Sequence, residues 1–327
     1  MKKGKTMITI KNIKGMGRDQ WLNERKRGVG GSDVGKVLGV SDWGTAVDVW
    51  LEKTGRSAPV EQTEAMWFGN ELEASVARRY AREAEVDVVR HNFMAFDDEA
   101  FLVGNIDRLV KLNGAGAPAH NGEVRTAVGL ECKTSSQAPW DDVPLHYQAQ
   151  VQTYMALHPS IQRFDVAASF YGFAKAFKVF AVPRDEEVIA SIRERVKEFW
   201  LRHVVADVPP PPTCEEDCKA IWKASNPGRK VYASDVVVDA VKALKDFDAR
   251  IKELEAGASE VKASIMAAME DGEVLIGPDG AKLATWKSNK DSSKTDWEAI
   301  VKALDPPKHL VAAWTTTKPG ARVFRVA

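Results

Sequence analysis

Cysteine is scarce in this chain, and its few thiols lack the spacing of a metal site. There are 3 cysteines in 327 residues, a usage typical of proteins in a reducing compartment. Cys214 and Cys218 do not have the spacing of a zinc knuckle, and no cluster of histidines accompanies them. The absence of a fourth cysteine argues against a four-cysteine iron–sulfur cluster. We therefore interpret the cysteines as ordinary thiols.

A long apolar run is also lacking. No stretch approaches the ~20 apolar residues that a bilayer-spanning helix needs, and the opening Met-Lys-Lys-Gly-Lys is not followed by the apolar segment of a secretory signal. With 44% hydrophobic and 28% charged residues, the composition is that of an ordinary water-soluble protein. We expect a cytoplasmic protein without a membrane partner.

Net charge of either sign is absent, because 46 Lys and Arg balance 46 Asp and Glu. Neutralisation of phosphates dominates nucleic-acid binding, so a neutral chain is not typical of a broad, non-specific DNA binder. The balance is uneven, however, since residues 1–60 hold 12 basic and 6 acidic side chains. This asymmetry predicts basic surface that is concentrated in one groove.

Glu131-Cys132-Lys133, which closes the apolar run 126–130, is the most informative motif. In a strand, residues two apart point to the same face, so the carboxylate and the ammonium share one face while Cys132 turns away. This arrangement is typical of a magnesium-dependent phosphodiesterase. There the carboxylate binds the metal, and the lysine positions or deprotonates the attacking water.

The Glu-x-Lys spacing alone does not identify a catalytic metal site, because the same spacing recurs at Glu24–Lys26 and at Glu260–Lys262. A surface ion pair explains such a pair equally well. Context separates the motif at Glu131, since residues 101–107 predict a preceding strand that ends on an acid, Asp107. A hairpin of the two strands places Asp107 beside Glu131, and two acids with one lysine make a site of the kind that magnesium prefers.

Arg25 and Ser32 flank a glycine-rich segment that leads into a short predicted helix. Free backbone N–H groups and the helix dipole make such a start a candidate phosphate site. The alternative is a simple turn in which Ser32 or Asp33 caps the helix.

Hydrophobic periodicity and turn signals predict the remaining elements. Helices are predicted at Gln20–Glu24, Val34–Leu38, Thr45–Lys53, Asn70–Ala84, Pro144–Met155 and Glu186–Arg202, and strands at Arg163–Tyr171 and Lys175–Val182. The buried stripe of the last helix is predicted to contain Val188, Ile192, Val196 and Phe199.

Pro209–Pro212 marks the clearest boundary, because four prolines cannot continue a helix. We predict a first domain over residues 1–208, a linker over 209–234 and a C-terminal extension over 235–327. The extension begins with an amphipathic helix, or a helical hairpin broken near Gly257, and small strands flank a turn at Pro278–Gly280.

Five motifs occur in order along the chain. They are Arg25-x-x-Gly-Val-Gly-Gly-Ser-Asp33, Phe68-Gly-Asn-Glu-Leu-Glu73, Gly104-Asn-Ile-Asp107, Leu130-Glu-Cys-Lys133 and Tyr147-Gln-Ala-Gln-Val-Gln152. Over about residues 20–205 the sequence resembles the family of YqaJ-type viral recombinases and phage lambda exonuclease, within the PD-(D/E)XK nuclease superfamily. The resemblance implies an α/β fold with a restriction-endonuclease-like core, a mixed central sheet flanked by helices. The C-terminal helical module with small β elements is added to this core.

The resemblance also implies roles for individual residues. Asp107 and Glu131 correspond to direct metal ligands, and Lys133 to the lysine that orients or activates water. Glu73 matches the helix-borne acid that completes the metal shell, with Glu71 as the alternative register. In this chain 23 residues separate Asp107 from Glu131, more than in lambda exonuclease. Burial next to a cation is expected to depress the pKa of Lys133 and make it a base.

Four further positions match residues that line the site in the family. Gln150 and Tyr147 correspond to residues of a site-lining helix, and Arg25 and Ser32 to those that hold the 5′-phosphate of the recessed strand.

The implied function is a Mg²⁺-dependent exonuclease, with Mn²⁺ as a substitute, that digests linear double-stranded DNA from 5′ to 3′. Its partners are duplex ends and a single-strand annealing protein that uses the 3′ tails, in a phage or prophage setting. The implied assembly is a ring-shaped homotrimer. Two alternatives remain open: a structure-specific or restriction-like endonuclease on the same fold, and a non-catalytic DNA-binding or assembly protein.

Overall fold

The computed structural model describes residues 8–57, 63–171, 177–317 and 320–325. They fall into two units, one up to Ile221 and one from Trp222 onward. Within these ranges every helix is too short or too polar to cross a lipid bilayer.

The first unit contains strands and helices in alternation. Its helices are α1 (Arg18–Arg25), α2 (Gly31–Val37), α3 (Ala46–Lys53), α4 (Glu64–Ala84), α5 (Leu145–Leu157), α6 (Glu186–Phe199) and α7 (Glu215–Ile221). Its strands are β1 (Ile8–Asn12), β2 (Val29–Gly30), β3 (Asp87–Arg90), β4 (Phe93–Asp97), β5 (Leu102–Asn105), β6 (Arg108–Lys111), β7 (Ala119–His120), β8 (Glu123–Val124), β9 (Val128–Ser135), β10 (Arg163–Phe170) and β11 (Phe177–Pro183).

A mixed five-stranded sheet in the order β11-β10-β9-β6-β3 forms the centre of this unit. Strands β9 and β10 run parallel, and the connection between them contains α5, as parallel pairing requires a crossover. The other neighbours in this sheet are antiparallel. A second sheet has the order β1-β4-β5-β2, and β7 pairs with β8.

Helices supply apolar side chains to separate clusters around the central sheet. Val76 and Tyr80 of α4 belong to a cluster with Leu130 of β9. Met155 of α5 belongs to another cluster with Phe164 of β10. The predicted fold class is therefore confirmed: mixed sheets are flanked by helices.

The first half of the chain departs from the sequence predictions at two helix starts. Helix α2 begins at Gly31 with Gly30 as its N-cap, so Ser32 and Asp33 lie inside its first turn and do not cap it. Helix α4 begins at Glu64, six residues before the predicted start, because Thr63 accepts a hydrogen bond from the Met66 amide. Glu71 and Glu73 therefore lie well inside the helix.

The predicted strand over residues 101–107 is divided between two sheets. Leu102–Asn105 forms β5 in the four-stranded sheet, and Arg108–Lys111 forms β6 in the central sheet. Asp107 lies at the junction, immediately before β6. The acid therefore reaches the neighbourhood of β9 through β6 and not through the strand that precedes it.

Other helices and strands agree with the predictions apart from their ends. Helix α3 has the predicted Thr45 cap, and α5 begins after Pro144. Helix α6 ends at Phe199 and continues as a π-helical turn. Its buried stripe contains Ile192, Val196 and Phe199 as predicted, but its first member is Ile189 and not Val188, which is exposed, because residue 189 lies on the same face three positions before Ile192. Residue 175, where the second strand was expected to begin, lies outside the described residues.

The predicted linker begins too early. Residues 209–221 belong to the first unit, and α7 is fixed there because buried Asp217 accepts hydrogen bonds from Thr45 and Thr213. The proline run thus lies within the first unit.

The second unit consists of α8 (Asp235–Met269), β12 (Val274–Ile276), β13 (Lys282–Thr285), α9 (Trp297–Leu304) and α10 (Lys308–Ala313). Helix α8 is continuous through Gly257, because one glycine costs a helix interior only about 1 kcal/mol. The helical hairpin is therefore wrong, whereas the turn at Pro278–Gly280 joins β12 to β13 as predicted.

Candidate active site

Strand β9 presents Glu131 and Lys133 on one face, as the period of a strand dictates. Lys133 Nζ lies 2.8 Å from Glu131 Oε1. Cys132 points to the other face and packs against the cluster that contains Val76 and Tyr80. The strand is buried from Val128 to Glu131 and only half-buried beyond, so the pair lies where β9 emerges from the core.

Asp107 lies beside this pair because of the β6–β9 register. Arg108 is opposite Leu130 in the antiparallel ladder, which places Asp107 next to Glu131. Burial raises the pKa of Asp107 to about 7, and repulsion from Glu131 and Glu73 adds to the effect. The shift indicates that three carboxyl groups share one weakly solvated region.

The helix-borne acid of this site is Glu73. Its Oε1 accepts a salt bridge from Arg108 Nη2 at 2.7 Å, and its charge acts on Asp107. Glu71 lies on an exposed face of α4. Of the two glutamates that the sequence offers for this position, Glu71 and Glu73, the geometry favours Glu73.

Gln150 links the acid and the lysine from the side of α5. Its Oε1 accepts a hydrogen bond from Lys133 Nζ at 3.0 Å, and its Nε2 donates to Glu131 Oε1 at 3.0 Å. The Tyr147 ring centroid lies 4.3 Å from Lys133 Nζ, a cation–π distance. The two residues expected from the helix motif therefore both contact the lysine.

Two residues of the site were missed by the sequence reasoning. Arg108 holds Glu73, and the Tyr154 hydroxyl accepts a hydrogen bond from Gln150 Nε2 at 2.9 Å. Tyr154 could have been identified from the sequence, because it lies four residues after Gln150 on the same helical face. For Arg108 the sequence offers only its position next to Asp107.

A depressed Lys133 pKa was expected for a site that holds a cation; without a bound cation the shift has the opposite direction. Burial alone lowers the pKa, but attraction to Glu131, followed by Tyr147 and Asp107, outweighs it and the pKa is raised. In the site without a cation, Lys133 is therefore an ammonium that pairs with Glu131 and donates a hydrogen bond to Gln150.

The donor set of this site fits a hard divalent cation. Its acids supply only oxygen ligands, which Mg²⁺ and Mn²⁺ prefer. Glu131 Oε2 is buried and has no hydrogen-bond partner, so it is available to a ligand. In the part of the chain that is described, no three His, Cys, Asp or Glu side chains already form a metal-holding group. Contacts to Lys133 and Arg108 engage one oxygen each of Glu131 and Glu73.

Arg25 and Ser32 lie together, as the glycine-rich motif predicts. Arg25 Nη2 donates to Ser32 Oγ and to Asp33 Oδ2, both at 3.1 Å. Buried Asp33 also lies 3.6 Å from the ammonium groups of Lys36 and Lys53. Burial raises the pKa of Asp33, but attraction to the three cations outweighs this and lowers it. Lys53 also pairs with Glu52 Oε1 at 2.8 Å, so three cations face two carboxylates and one positive charge is in excess.

This cationic cluster adjoins the acidic site through Tyr154. A Cβ atom at Gly31 would lie 2.7 Å from the Tyr154 ring, so only glycine allows α2 to approach so closely. Tyr154 in turn contacts Gln150. Gln150 of the acidic site and Gly31, which precedes Ser32 of the cationic cluster, are therefore both next to Tyr154.

The sequence of this chain is similar to known sequences over most of its length. Residues 20–158 match the model of the YqaJ-like viral recombinase domain. The chain is 30% identical over 294 residues to the uncharacterized protein YqaJ of Bacillus subtilis (strain 168), covering 85% of this chain and 87% of that protein.

Two solved structures share part of the fold. The alkaline exonuclease LHK-Exo from Laribacter hongkongensis is 20% identical, with a TM-score of 0.45 over 63% of this chain and 100% of that chain. A phage-related exonuclease from Haemophilus somnus 129PT is 15% identical, with a TM-score of 0.41 over 57% of this chain and 100% of that chain. On the sequence matches, this chain belongs to the YqaJ-like viral recombinase family.

Proposed function

We propose that this protein is a Mg²⁺-dependent exonuclease that digests linear duplex DNA from 5′ to 3′. The observation that carries the proposal is the adjacency of two sites. Asp107, Glu131 and Lys133 meet at the middle of β9, and next to the neighbouring Tyr154, Arg25 and Ser32 form a cationic cluster. The similarity to an alkaline exonuclease and to a phage-related exonuclease supports the same reaction class.

Each protein group has a defined task in this proposal. Carboxyl oxygens of Asp107, Glu131 and Glu73 would hold the cation, which when bound would lower the pKa of water and polarise the scissile phosphate. The Lys133 ammonium orients the attacking water and offsets charge that develops on the phosphate. Gln150 fixes the spacing of Lys133 and Glu131, because it hydrogen-bonds both.

The direction of digestion follows from the cationic cluster. Arg25 donates to a terminal 5′-phosphate, and the remaining positive charge around Asp33 retains that phosphate while the next linkage lies at the acids. Removing nucleotides from the 5′ end leaves a 3′ single-stranded tail. That product is the substrate of a single-strand annealing protein, which would be the partner.

The proposed assembly is a homotrimeric ring with a positively charged lining. Such a ring can bind DNA although the chain has zero net charge.

We expect a linear duplex with 5′-phosphates to release mononucleotides when Mg²⁺ is added and to stay intact in EDTA. A label at the 5′ end should appear in mononucleotides before an internal label, and a covalently closed circle should resist digestion. Cleavage of the circle would replace the proposal with an endonuclease. Early release of a 3′-end label would reverse the polarity.

Replacing Arg25 by alanine should reduce digestion of 5′-phosphorylated ends about tenfold, because one charge-assisted contact to phosphate is lost. Digestion of 5′-hydroxyl ends should change little, so the preference for phosphate should disappear. The measurement is the initial rate on two duplexes that differ only in the 5′ group. Lys26→Ala removes the neighbouring exposed cation and serves as the matched control. Equal losses on both duplexes would exclude Arg25 from phosphate recognition.

A further inference from the structure

Three arginine side chains converge on one groove beside α4, within the first unit. The groove has a volume of about 250 Å³, and Arg78, Arg90 and Arg108 line it. We call it the arginine groove. Of the described residues, Glu73 alone makes a salt bridge with any of the three arginines, and its partner is Arg108. Three guanidinium groups with one paired carboxylate give the groove an excess of positive charge.

The strand register places two of these positive charges directly opposite each other. Arg90 is the last residue of β3 and Arg108 is the first residue of β6, and the two are partners in the antiparallel ladder. Side chains of such partners share one face of a sheet, with their Cβ atoms about 4.5–5.5 Å apart. Like charges in this position destabilise a sheet. An anion bound between the two guanidinium groups would offset this repulsion.

Helix α4 contributes the third arginine to the same face of the sheet. Val88 and Val110, each two residues from an arginine of the pair, belong to the apolar cluster beneath α4. Since residues two apart on a strand point the same way, Arg90 and Arg108 face this helix. Arg78 of α4 therefore lies on the opposite wall of the groove from the strand pair.

Small side chains leave space along the helix wall of the groove. Ala74, Ala77 and Ala81 of α4 line it. At ~1.5 Å per residue, Ala74 to Ala81 spans about 10 Å, and the phosphates of one DNA strand are spaced ~3.4 Å apart along a duplex axis. The groove thus has the length for two or more phosphates, whose oxygens match the forked N–H groups of arginine.

The arginine groove begins at the acidic site. Arg108 directly follows Asp107, and its Nη2 lies 2.7 Å from Glu73 Oε1. The positive charge of Arg108 also acts on Asp107. A DNA strand whose phosphate lies at the acids therefore has the arginine groove next to it.

The cationic cluster around Arg25 adjoins α5, whereas the arginine groove adjoins α4. These two helices cover opposite faces of the central sheet, because successive residues of β6 point to different helices. Leu109 belongs to the cluster that contains Met155 of α5, and Val110 belongs to the cluster that contains Val76 of α4. The acids thus have cationic surface on both sides.

We propose that the arginine groove binds backbone phosphates of the strand being digested, on the 3′ side of the scissile linkage. This inference rests on the proposed function, which assigns the terminal 5′-phosphate to the cationic cluster and the scissile linkage to the acids. A strand that runs from the cationic cluster past the acids continues toward α4, where the three arginines neutralise its next phosphates. Such contacts fix the position of a strand without reading its sequence.

The salt dependence of DNA binding tests the groove. The full-length protein is titrated with a 5′-phosphorylated duplex in EDTA, so that the measurement requires no hydrolysis. Arg78→Ala and Arg90→Ala should each raise the Kd about tenfold and reduce the slope of log Kd against log salt concentration by about 1. Arg108 stays in place because it holds Glu73. Unchanged Kd and slope in both variants would overturn the proposal.

The matched control is Arg79→Ala, which removes the same charge from the next position of α4. Arg79 lies on the other side of the helix, with its guanidinium carbon 4.4 Å from the ring centroid of Phe177 on β11. Strands β11 and β3 are the two edges of the central sheet. Arg79→Ala should therefore keep the wild-type Kd and slope. Losses equal to those of Arg78→Ala would contradict a specific groove.

Neutral methylphosphonate linkages identify the strand that the groove binds. Placed at the second and third linkages from the 5′ end of the digested strand, they should weaken binding by the wild type. They should leave the double variant Arg78→Ala/Arg90→Ala unaffected, because its phosphate contacts are already lost. The same linkages in the complementary strand should affect both proteins equally, and the reverse pattern would overturn the assignment. If the expected pattern occurs but no mononucleotides are released in Mg²⁺, the nuclease proposal fails while the phosphate contacts stand.

Discussion

Replacing Lys133 by alanine is expected to lower the rate of DNA hydrolysis about a thousandfold, because the site loses the ammonium next to the reacting phosphate. Lys133 Nζ lies 2.8 Å from Glu131 and hydrogen-bonds Gln150 at 3.0 Å. Affinity for duplex DNA should change by less than about tenfold, since one of many phosphate contacts is lost. Single-turnover hydrolysis and equilibrium DNA binding, measured on the same preparation, separate the two effects.

Lys133→Arg distinguishes between the possible roles of this lysine. Arginine keeps the positive charge but cannot be deprotonated in a protein. Since the carboxylates raise the pKa of Lys133, we expect the ammonium to act as a charge. Lys133→Arg should then be at least about tenfold faster than Lys133→Ala. An arginine variant as inactive as the alanine variant would instead assign Lys133 to proton transfer.

The matched control for these variants is Lys111→Ala. Lys111 lies on the adjacent strand β6 and makes a salt bridge of 3.3 Å with exposed Asp87. Because exposed pairs contribute about 0–1 kcal/mol, this substitution should leave both hydrolysis and folding nearly unchanged. A large loss of activity in Lys111→Ala would show that removal of any lysine from this sheet disturbs the site.

Features that depend on a single strand or helix could be predicted from the sequence. The alternation of a strand suffices to place Glu131 and Lys133 on one face with Cys132 on the other. The spacing of three within α5 suffices to place Tyr147 and Gln150 on neighbouring positions of one helix face. These relations involve residues a few positions apart, and the backbone geometry fixes them before any tertiary contact forms.

Features that depend on distant segments could not be predicted. The direction of the Lys133 pKa shift depends on how many carboxylates surround the amine, and those come from β6 and β9. The Glu73–Arg108 pair joins α4 to β6, and no local pattern specifies their approach. The strand over residues 101–107 was divided for the same reason, because its two parts pair with different sheets.

Replacing Asp107 by asparagine is expected to abolish hydrolysis and, above pH 7, to stabilise the protein. Burial and the neighbouring acids raise the pKa of Asp107 from its ordinary 3.8 to about 7. A raised carboxyl pKa means that the folded state binds the proton more tightly than the unfolded state. The contribution of Asp107 to wild-type stability therefore falls as the pH rises from about 4 to about 7, while an asparagine at this position contributes no such change.

The size of this effect follows from the gap between the two pKa values. Each unit of pKa shift corresponds to about 1.4 kcal/mol, so the difference in free energy of unfolding between the asparagine variant and wild type is at most about 4 kcal/mol. Because Asp107 is partly exposed, solvent screening reduces this difference to on the order of 2 kcal/mol. Urea unfolding in EDTA should show Asp107→Asn more stable by this amount at pH 8 and nearly equal to wild type near pH 4. Asp87→Asn, a neutralised exposed carboxylate on β3, should show no gain at either pH.

Mg²⁺ should reverse the order of stability at pH 8. An ion that binds only the folded state stabilises it by about 2.7 kcal/mol at a hundredfold excess over its dissociation constant. Wild type gains this contribution, because the repulsion among Asp107, Glu131 and Glu73 becomes attraction to the cation, whereas Asp107→Asn lacks one of the three carboxylates. If Mg²⁺ stabilises wild type and Asp107→Asn equally, Asp107 is not a metal ligand. If Asp107→Asn is no more stable than wild type in EDTA at pH 8, the three acids do not repel one another in the folded protein.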